Sequence, residues 1–401
     1  MRVLISGAGI AGPTLAYWLA RHGMTPTIVE KAPTLRAGGY VLDFWGAGLE
    51  VATRMGLLPQ LVRHGYAIRE VRVVDAHGDR VAGFPAAAFT RALGSGFISL
   101  PRGDLAATIF NALPGNLTTI FEDTIDRIDQ SSEDVRVTFA RSGARNFDLV
   151  IGADGLHSRV RQLMFGPESR FERYLGLKVA AFEVAGYRPR DELVYLMYSE
   201  VGQQVSRFSM RGDRTMFLFT FADLDPDGPS DIVEQKALLR ARFGRSGWEC
   251  LRILDQLDAA DDLYFDRVSQ IEMPSTGGGW ANGRIALVGD AAFCISFLGG
   301  QGAALAIAAA YILAGELQRA DGDYQKAFAR YQAMFRPFVS MKQQAARRFA
   351  GAFAPRSKRS LFLRNQVFRL LSIGWVANLT VGGGFSDAIA LPDYLTQDGS
   401  T

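Results

Sequence analysis

The stretch Met1–Glu30 constrains this chain more than any other. Val3, Leu4 and Ile5 form a short apolar run that reads as a buried parallel strand. Gly7-Ala8-Gly9-Ile10-Ala11-Gly12 follows at once, and Leu15, Trp18 and Leu19 then fall at helical spacing. A second apolar run, Thr27-Ile28-Val29, ends in Glu30. Strand, glycine turn, helix, strand and acidic residue stand in the order a dinucleotide site requires. Gly7 allows the tight turn, Gly9 lets the backbone approach a pyrophosphate, and Gly12 lets helix and strand pack closely. Ile10 and Ala11 open the helix, whose N-terminal N–H groups and dipole favour phosphate. Glu30 can accept hydrogen bonds from a ribose diol, and Lys31 beside it is counted with the same set. The stretch alone leaves FAD and NAD(P) open.

With 401 residues, 48% of them apolar, the chain can bury one large core or two modest ones. Its net charge of +3 does not call for nucleic acid. Cys250 and Cys294 lack metal-ligand spacing, so no metal site and no disulfide framework is expected, and a reducing, cytoplasmic setting is. Neither a signal peptide before the first strand nor a bilayer-spanning apolar run is read.

After Glu30, Arg36 in a glycine-bearing loop is placed to meet a phosphate or ribose, or is a solvated loop residue. Residues 46–58 have helical spacing, and Val71 to Phe84 read as a hairpin that leaves the first domain. Strand ends at Ile98–Arg102 bring Arg102 back toward the nucleotide, and a helix follows to Leu113. Leu149-Val150-Ile151 runs into Gly152-Ala153-Asp154-Gly155, a small-residue turn with a carboxylate at the end of a buried strand. From Leu193 to Phe221 the pattern is antiparallel sheet, with Phe217, Phe219 and Phe221 on one strand face and Met216 and Leu218 on the other. Arg207 is the only charge in the middle of these strands, and it reads as an outer-face residue. A third segment follows, Ile285 to Gly289-Asp290-Ala291-Ala292, then Gly299-Gly300-Gln301-Gly302 and a helix from Ala303 to Leu317. Asp290 is either a hydroxyl acceptor for the ligand or a helix cap. The glycine loop turns the positive end of the last helix toward a negative ligand edge.

With those three segments in order, residues 1 to about 335 resemble the class A FAD-dependent aromatic monooxygenases of the p-hydroxybenzoate hydroxylase fold, nearest the tetracycline-inactivating branch. The resemblance implies an α/β fold: a Rossmann-like FAD-binding domain, an inserted antiparallel-sheet substrate domain and a C-terminal helical region. The corresponding bounds are 1–67, 95–170 and 272–340 for the first, 68–94 and 171–271 for the second, and 341–401 for the helical bridge and tail. It implies FAD on Gly7 to Gly12, with Glu30 on the adenosine ribose, Asp154 and Gly155 shared by FAD and pyridine nucleotide, and Gly289-Asp290 at the ribityl chain. By position Arg36, Asp43 and Arg102 match residues that touch FAD, and Gly300, Gln301 and Gly302 face the flavin's pyrimidine edge. The chain departs from the family pattern at Phe293, Ser296-Phe297 and Ala303-Ala304, where His, Pro-Pro and Asn are common.

The implied activity is hydroxylation of a large aromatic or polyketide-like small molecule through a flavin hydroperoxide, with NADPH or NADH as transient reductant. No catalytic side chain is assigned, because the cofactor carries the hard step. Phe217, Phe219 and Phe297 are expected at the substrate, with Met216 and Leu218 as the alternative strand face, and few inward charges suggest a planar, uncharged substrate. Two other readings are a non-hydroxylating flavin oxidoreductase and a flavin-fold protein that sheathes a reactive ligand without turnover. The absence of Trp-x-Trp-x-Ile-Pro disfavours halogenation. The basic and apolar stretch from Gln343 to Trp375 is expected to pack as a helix on the body, with peripheral membrane contact as the alternative. The expected assembly is a monomer or homodimer.

Overall fold

The computed structural model describes residues 1–35, 40–88, 96–260, 262–275, 278–371 and 389–394. Two sheets organise it. The first runs Ala281–Asn282, Ile285–Leu287, Leu149–Gly152, Arg2–Ser6, Thr25–Val29, Thr118–Ile120. All neighbours in it are parallel except the short first pair. Its central strands, Val3–Ile5, Leu149–Ile151 and Ile285–Leu287, are solvent-free, buried in one core with the helices Ala11–Arg21 and Gly302–Arg319 and the three-stranded antiparallel sheet Ile125–Gln130, Val135–Phe139, Ala144–Phe147. The helices Ala11–Arg21 and Gly302–Arg319 pack on each other, with the Trp18 and Tyr311 rings meeting edge-on at 4.8 Å. A mixed α/β architecture with this parallel region, separate antiparallel sheet and C-terminal helices is what the sequence led us to expect.

The second sheet has seven strands in the order Leu263–Ile271, Glu172–Ala185, Arg214–Ala222, Gln203–Ser209, Val194–Glu200, Glu70–Val74, Arg80–Pro85. Pairing is antiparallel except between Val194–Glu200 and Glu70–Val74, which run parallel. The 14-residue strand Glu172–Ala185, the longest among the described residues, is absent from the sequence reading. Its middle, Leu177 to Phe182, is buried on both faces and so shows no period of two. The helical spacing over 46–58 divides into Gly46–Arg54 and Leu58–His64, because Gly56 at φ +76° turns the chain between them.

The helix Tyr324–Phe353 bridges the two sheets. From it Gln343 donates to the carbonyls of Ile271 and Cys294 at 2.8 and 3.2 Å, and Arg347 pairs with Glu272 at 2.5 Å. The helix Lys358–Leu370 begins with a capping box at Ser357 and Ser360 and lies against the Arg80–Pro85 edge. The segment 389–394 returns to the first sheet's helices, where the buried Tyr394 hydroxyl donates to Glu316 at 2.7 Å. The expected basic stretch continues beyond Leu371 outside the described residues. No described helix is long and apolar enough to cross a membrane.

Candidate functional site

Three loops leave the carboxyl ends of three adjacent parallel strands. Gly7 follows Arg2–Ser6, Ala153 follows Leu149–Gly152, and Val288 follows Ile285–Leu287. Backbone bonds lock them together: Ala153 N–H donates to the Ser6 carbonyl at 2.8 Å and Val288 N–H to that of Gly152 at 2.9 Å. An open α/β sheet offers its ligand crevice at this end.

The glycines divide by what a side chain would meet. A Cβ on Gly12 would lie 1.9 Å from the Gly7 carbonyl oxygen, so this glycine sets strand–helix packing. Gly7, at φ +106°, would place one 2.6 Å from the Ala153 oxygen. Gly9 has an ordinary φ, and the nearest atom to its Cβ position is Arg102 Nη2 at 3.8 Å. The backbone at Gly9 is therefore open on the ligand side, beside a guanidinium. The 11-residue helix that starts at Ala11 carries no side-chain cap, which leaves first-turn N–H groups for an anion. Glu30 accepts from the Ala8 and Ala32 N–H groups at 2.8 and 2.9 Å, which fixes its carboxylate at the edge of the turn. Lys31 is exposed next to it, and Arg36 lies outside the described residues.

Asp290 opens the short helix Asp290–Phe293 after Gly289, which holds φ +65°. Burial raises its pKa, and the charges of Arg102 and Arg161 pull the other way. A Cβ on Gly302 would stand 3.7 Å from Asp290 Oδ1, so the loop through Gly300 and buried Gln301 closes over the same point. The helix Gly302–Arg319 also begins without a side-chain cap. Asp43 is half-buried and accepts from Ser99 Oγ at 2.5 Å; desolvation raises its pKa against that bond.

Asp154 has protein partners of its own. It takes Ser158 Oγ at 2.5 Å, Ser6 Oγ at 3.3 Å and the Arg159 and Val160 N–H groups, and so fastens the second loop to the first strand. Arg161, which the sequence reading gave no role, ties the second loop to the third. It donates to the Leu156 carbonyl at 2.6 Å, the Ala291 carbonyl at 3.0 Å and Glu168 at 2.7 Å. His157 bridges Glu168 at 2.9 Å and Asp266 at 3.3 Å, and those two carboxylates raise its pKa to about 9.

The second sheet meets these loops with the face that carries Met216 and Leu218. Leu218 packs with Leu298 beside Phe297, and Met216 packs near Tyr40 and Val41. Phe297 stands edge-on to Tyr40 at 4.8 Å, with Tyr264 at 5.9 Å from Tyr40. Burial pushes the Tyr40 phenol up to about 12, so it remains a donor at neutral pH. Tyr40 and Tyr264 carry no motif, and only the packing of the two sheets brings them to this point.

Phe217 and Phe219 correct the sequence reading, since they lie on the opposite face. There they pack against Phe182, Tyr187 and Phe243 beneath the helices Ile232–Phe243 and Cys250–Asp255. Two helices needed an apolar sheet face to cover, and the bulkier alternate set supplies it. Arg207 is likewise buried rather than solvated, held by Asp191 at 2.5 Å and Glu249 at 2.9 Å on that same face.

Two departures from the family pattern are absorbed by packing. The Phe293 ring sits among Trp280 at 4.8 Å and Phe335 at 5.4 Å, inside the core. Ala304 is the contact point of Gly46–Arg54, where a Cβ on Gly48 would come within 2.4 Å of its Cα. Ser296 differs: it is buried at φ +80°, and its hydroxyl has no hydrogen-bond partner among the described residues. A buried orphan hydroxyl in the loop before Phe297 fits a polar cofactor edge.

This geometry agrees with comparison to known proteins. Residues 1–323 match the family model described as FAD binding domain. An uncharacterised protein of Mycobacterium tuberculosis is 41% identical over 345 residues, covering 85% of this chain and 91% of that one. A flavin-dependent monooxygenase of Legionella longbeachae is 35% identical over 353 residues, covering 86% and 87%. The crystal structure of the tetracycline destructase Tet(51) superposes with a TM-score of 0.82 at 32% identity, covering 98% and 99% of the two chains. With its glycine turn, half-buried Asp290 and Arg102 converging at one sheet end, this chain belongs to the FAD-binding-domain family of flavin-dependent monooxygenases.

Proposed function

We propose that the protein hydroxylates a large aromatic or polyketide-like small molecule in the crevice between Tyr40, Phe297 and the Met216–Leu218 sheet face. The balanced reaction consumes substrate, dioxygen, NAD(P)H and a proton, and yields hydroxylated substrate, NAD(P)⁺ and water. Bound FAD supplies the hydride acceptor and the activation of dioxygen; the chain supplies binding, orientation and exclusion of water.

The observation that carries this reading is the junction itself. The loops ending in Gly9, Asp154 and Asp290 lie at one end of the parallel sheet, and an apolar wall closes over that end. The residues present suit FAD: open backbone at Gly9 and an uncapped helix for the pyrophosphate, with Glu30 for the adenosine ribose. Asp290 would take a ribityl hydroxyl, and the Ser296 hydroxyl and the Gly300–Gly302 loop would meet the flavin ring. Tyr40 and Tyr264 remain protonated at neutral pH and would donate to substrate oxygens. Sheathing without turnover loses its main motivation, because Phe293 and Ala304 are accounted for by core packing.

Purified protein, offered NADH or NADPH with a library of polycyclic phenols, should consume reductant and dioxygen together and add one oxygen atom to a product. Turnover that proceeds equally well without dioxygen would reassign it to a reductase.

A further inference from the structure

The helix Lys358–Leu370 sits on Arg80–Pro85, the outermost strand of the second sheet, with its polarity reversed. Its one buried residue is Arg364, 7% exposed. One turn on, Phe368 stands edge-on to Phe84 at 5.5 Å, and Arg369 donates to the Val81 carbonyl at 2.7 Å. The outer side is the apolar one. Phe362 and Leu363 are 60% and 62% exposed, and Val367 and Leu370 are exposed with them. Leu363, Val367 and Leu370 fall at i, i+4 and i+7 and so form one line, with Phe362 beside it. A helix held only to cover the sheet edge would gain by turning these four inward. An apolar line left outward on a seated helix calls for something to bury it.

The charges around that line have one sign. Lys358 and Arg359 are exposed one turn before Phe362 and Leu363, on the same two rows, and Arg356 is exposed just ahead of the helix. No Asp or Glu occurs between Asp323 and Asp387, whereas eleven Lys and Arg do, in a chain whose net charge is only +3. Two copies of this face brought together would oppose like charges, with no carboxylate of the helix to offset them. A nucleic acid would pair with the basic residues and leave the apolar line in water. An anionic lipid surface takes both sets: its phosphates meet Lys358 and Arg359, and the acyl boundary buries Phe362 and Leu363. No described helix is long and apolar enough to cross a membrane, so the contact is with the surface.

We propose that the outer face of the helix Lys358–Leu370 docks the enzyme reversibly on an anionic lipid surface. Phe362, Leu363, Val367 and Leu370 enter the interfacial zone, and Lys358 and Arg359 lie on the lipid phosphates. This binding is separate from hydroxylation and is measured without turnover.

The test sediments the FAD-loaded enzyme with vesicles of phosphatidylcholine alone and of phosphatidylcholine mixed with phosphatidylglycerol, at low and high salt. Wild type should sediment with the mixed vesicles, stay in solution with phosphatidylcholine alone, and be released by salt. Lys358→Gln with Arg359→Gln should weaken binding by about fivefold for each residue. Phe362→Ser with Leu363→Ser should weaken it by about tenfold or more. Val233→Ser, an equally exposed apolar position on the helix Ile232–Phe243 across the sheet, should leave it unchanged. Melting temperature and FAD content should stay at wild-type values, because the substituted side chains are exposed. Should a double variant fail to fold, the wild-type contrast between the two vesicles and the two salts still decides. Absence of wild type from the mixed-vesicle pellet would overturn the proposal. So would binding that survives Phe362→Ser with Leu363→Ser, which would reduce the face to a cation patch for any polyanion. A dimer in sedimentation velocity that the same pair dissociates, with no vesicle binding, would assign the face to a second copy of this chain instead.

Discussion

Gly9 and Gly12 stand three residues apart in one turn, yet their substitution by alanine should fail in different ways. At Gly12 the new Cβ would lie 1.9 Å from the Gly7 carbonyl oxygen, and only backbone can move to relieve it. The cost should exceed about 4 kcal/mol, enough to prevent accumulation of folded protein. At Gly9 the φ is ordinary and the nearest heavy atom lies at 3.8 Å, so the apoprotein should keep its stability or gain up to ~1 kcal/mol from a stiffer unfolded chain. The methyl would instead occupy the path of the pyrophosphate. Displacing a phosphate from even two backbone N–H groups forfeits roughly 1.5–3 kcal/mol each, which predicts FAD affinity lower by at least about a hundredfold. Calorimetry of the apoproteins gives the first quantity and quenching of flavin fluorescence the second. Gly9→Ala with wild-type FAD affinity, or Gly12→Ala with a wild-type melting temperature, would refute the division of labour.

Asp290→Asn keeps the shape and removes the charge beside Arg102, and should weaken FAD by roughly tenfold in the same titration, about one lost charged hydrogen bond. Phe217→Ala should destabilise the fold by about 3–5 kcal/mol while leaving FAD affinity and substrate KM of the folded fraction unchanged. Leu218→Ala, on the crevice face, should change substrate KM instead; the reverse pattern would restore Phe217 to the substrate. His157 has a folded pKa of about 9, above its ordinary 6.5, so its contribution is complete below 6.5 and disappears as pH rises through 9. The melting-temperature gap between wild type and His157→Ala should therefore close between those values, and it should be small, below ~1 kcal/mol, because the imidazole is half-exposed. A gap that widens with pH would reverse the sign of the linkage.

What the sequence determined by itself was local. Strand, glycine turn, helix and acidic residue occupy thirty consecutive positions, so short-range geometry made the nucleotide-binding stretch legible, and the segments at Asp154 and Asp290 were readable for the same reason. The fold class followed from them. What tertiary structure alone decided was which face of a strand turns inward. The alternation at Met216–Phe221 shows that two faces exist, but both are apolar, and only the helices Ile232–Phe243 and Cys250–Asp255 choose Phe217 and Phe219 for the core. The strand Glu172–Ala185 escaped notice because burial on both sides erases the period that marks an exposed strand. Arg161, Tyr40 and Tyr264 have no local signature, since each meets partners far away in the chain: Arg161 stands 130 residues from Ala291. Side-chain periodicity records how a segment meets its surroundings, and the identity of those surroundings is fixed only when distant segments pack.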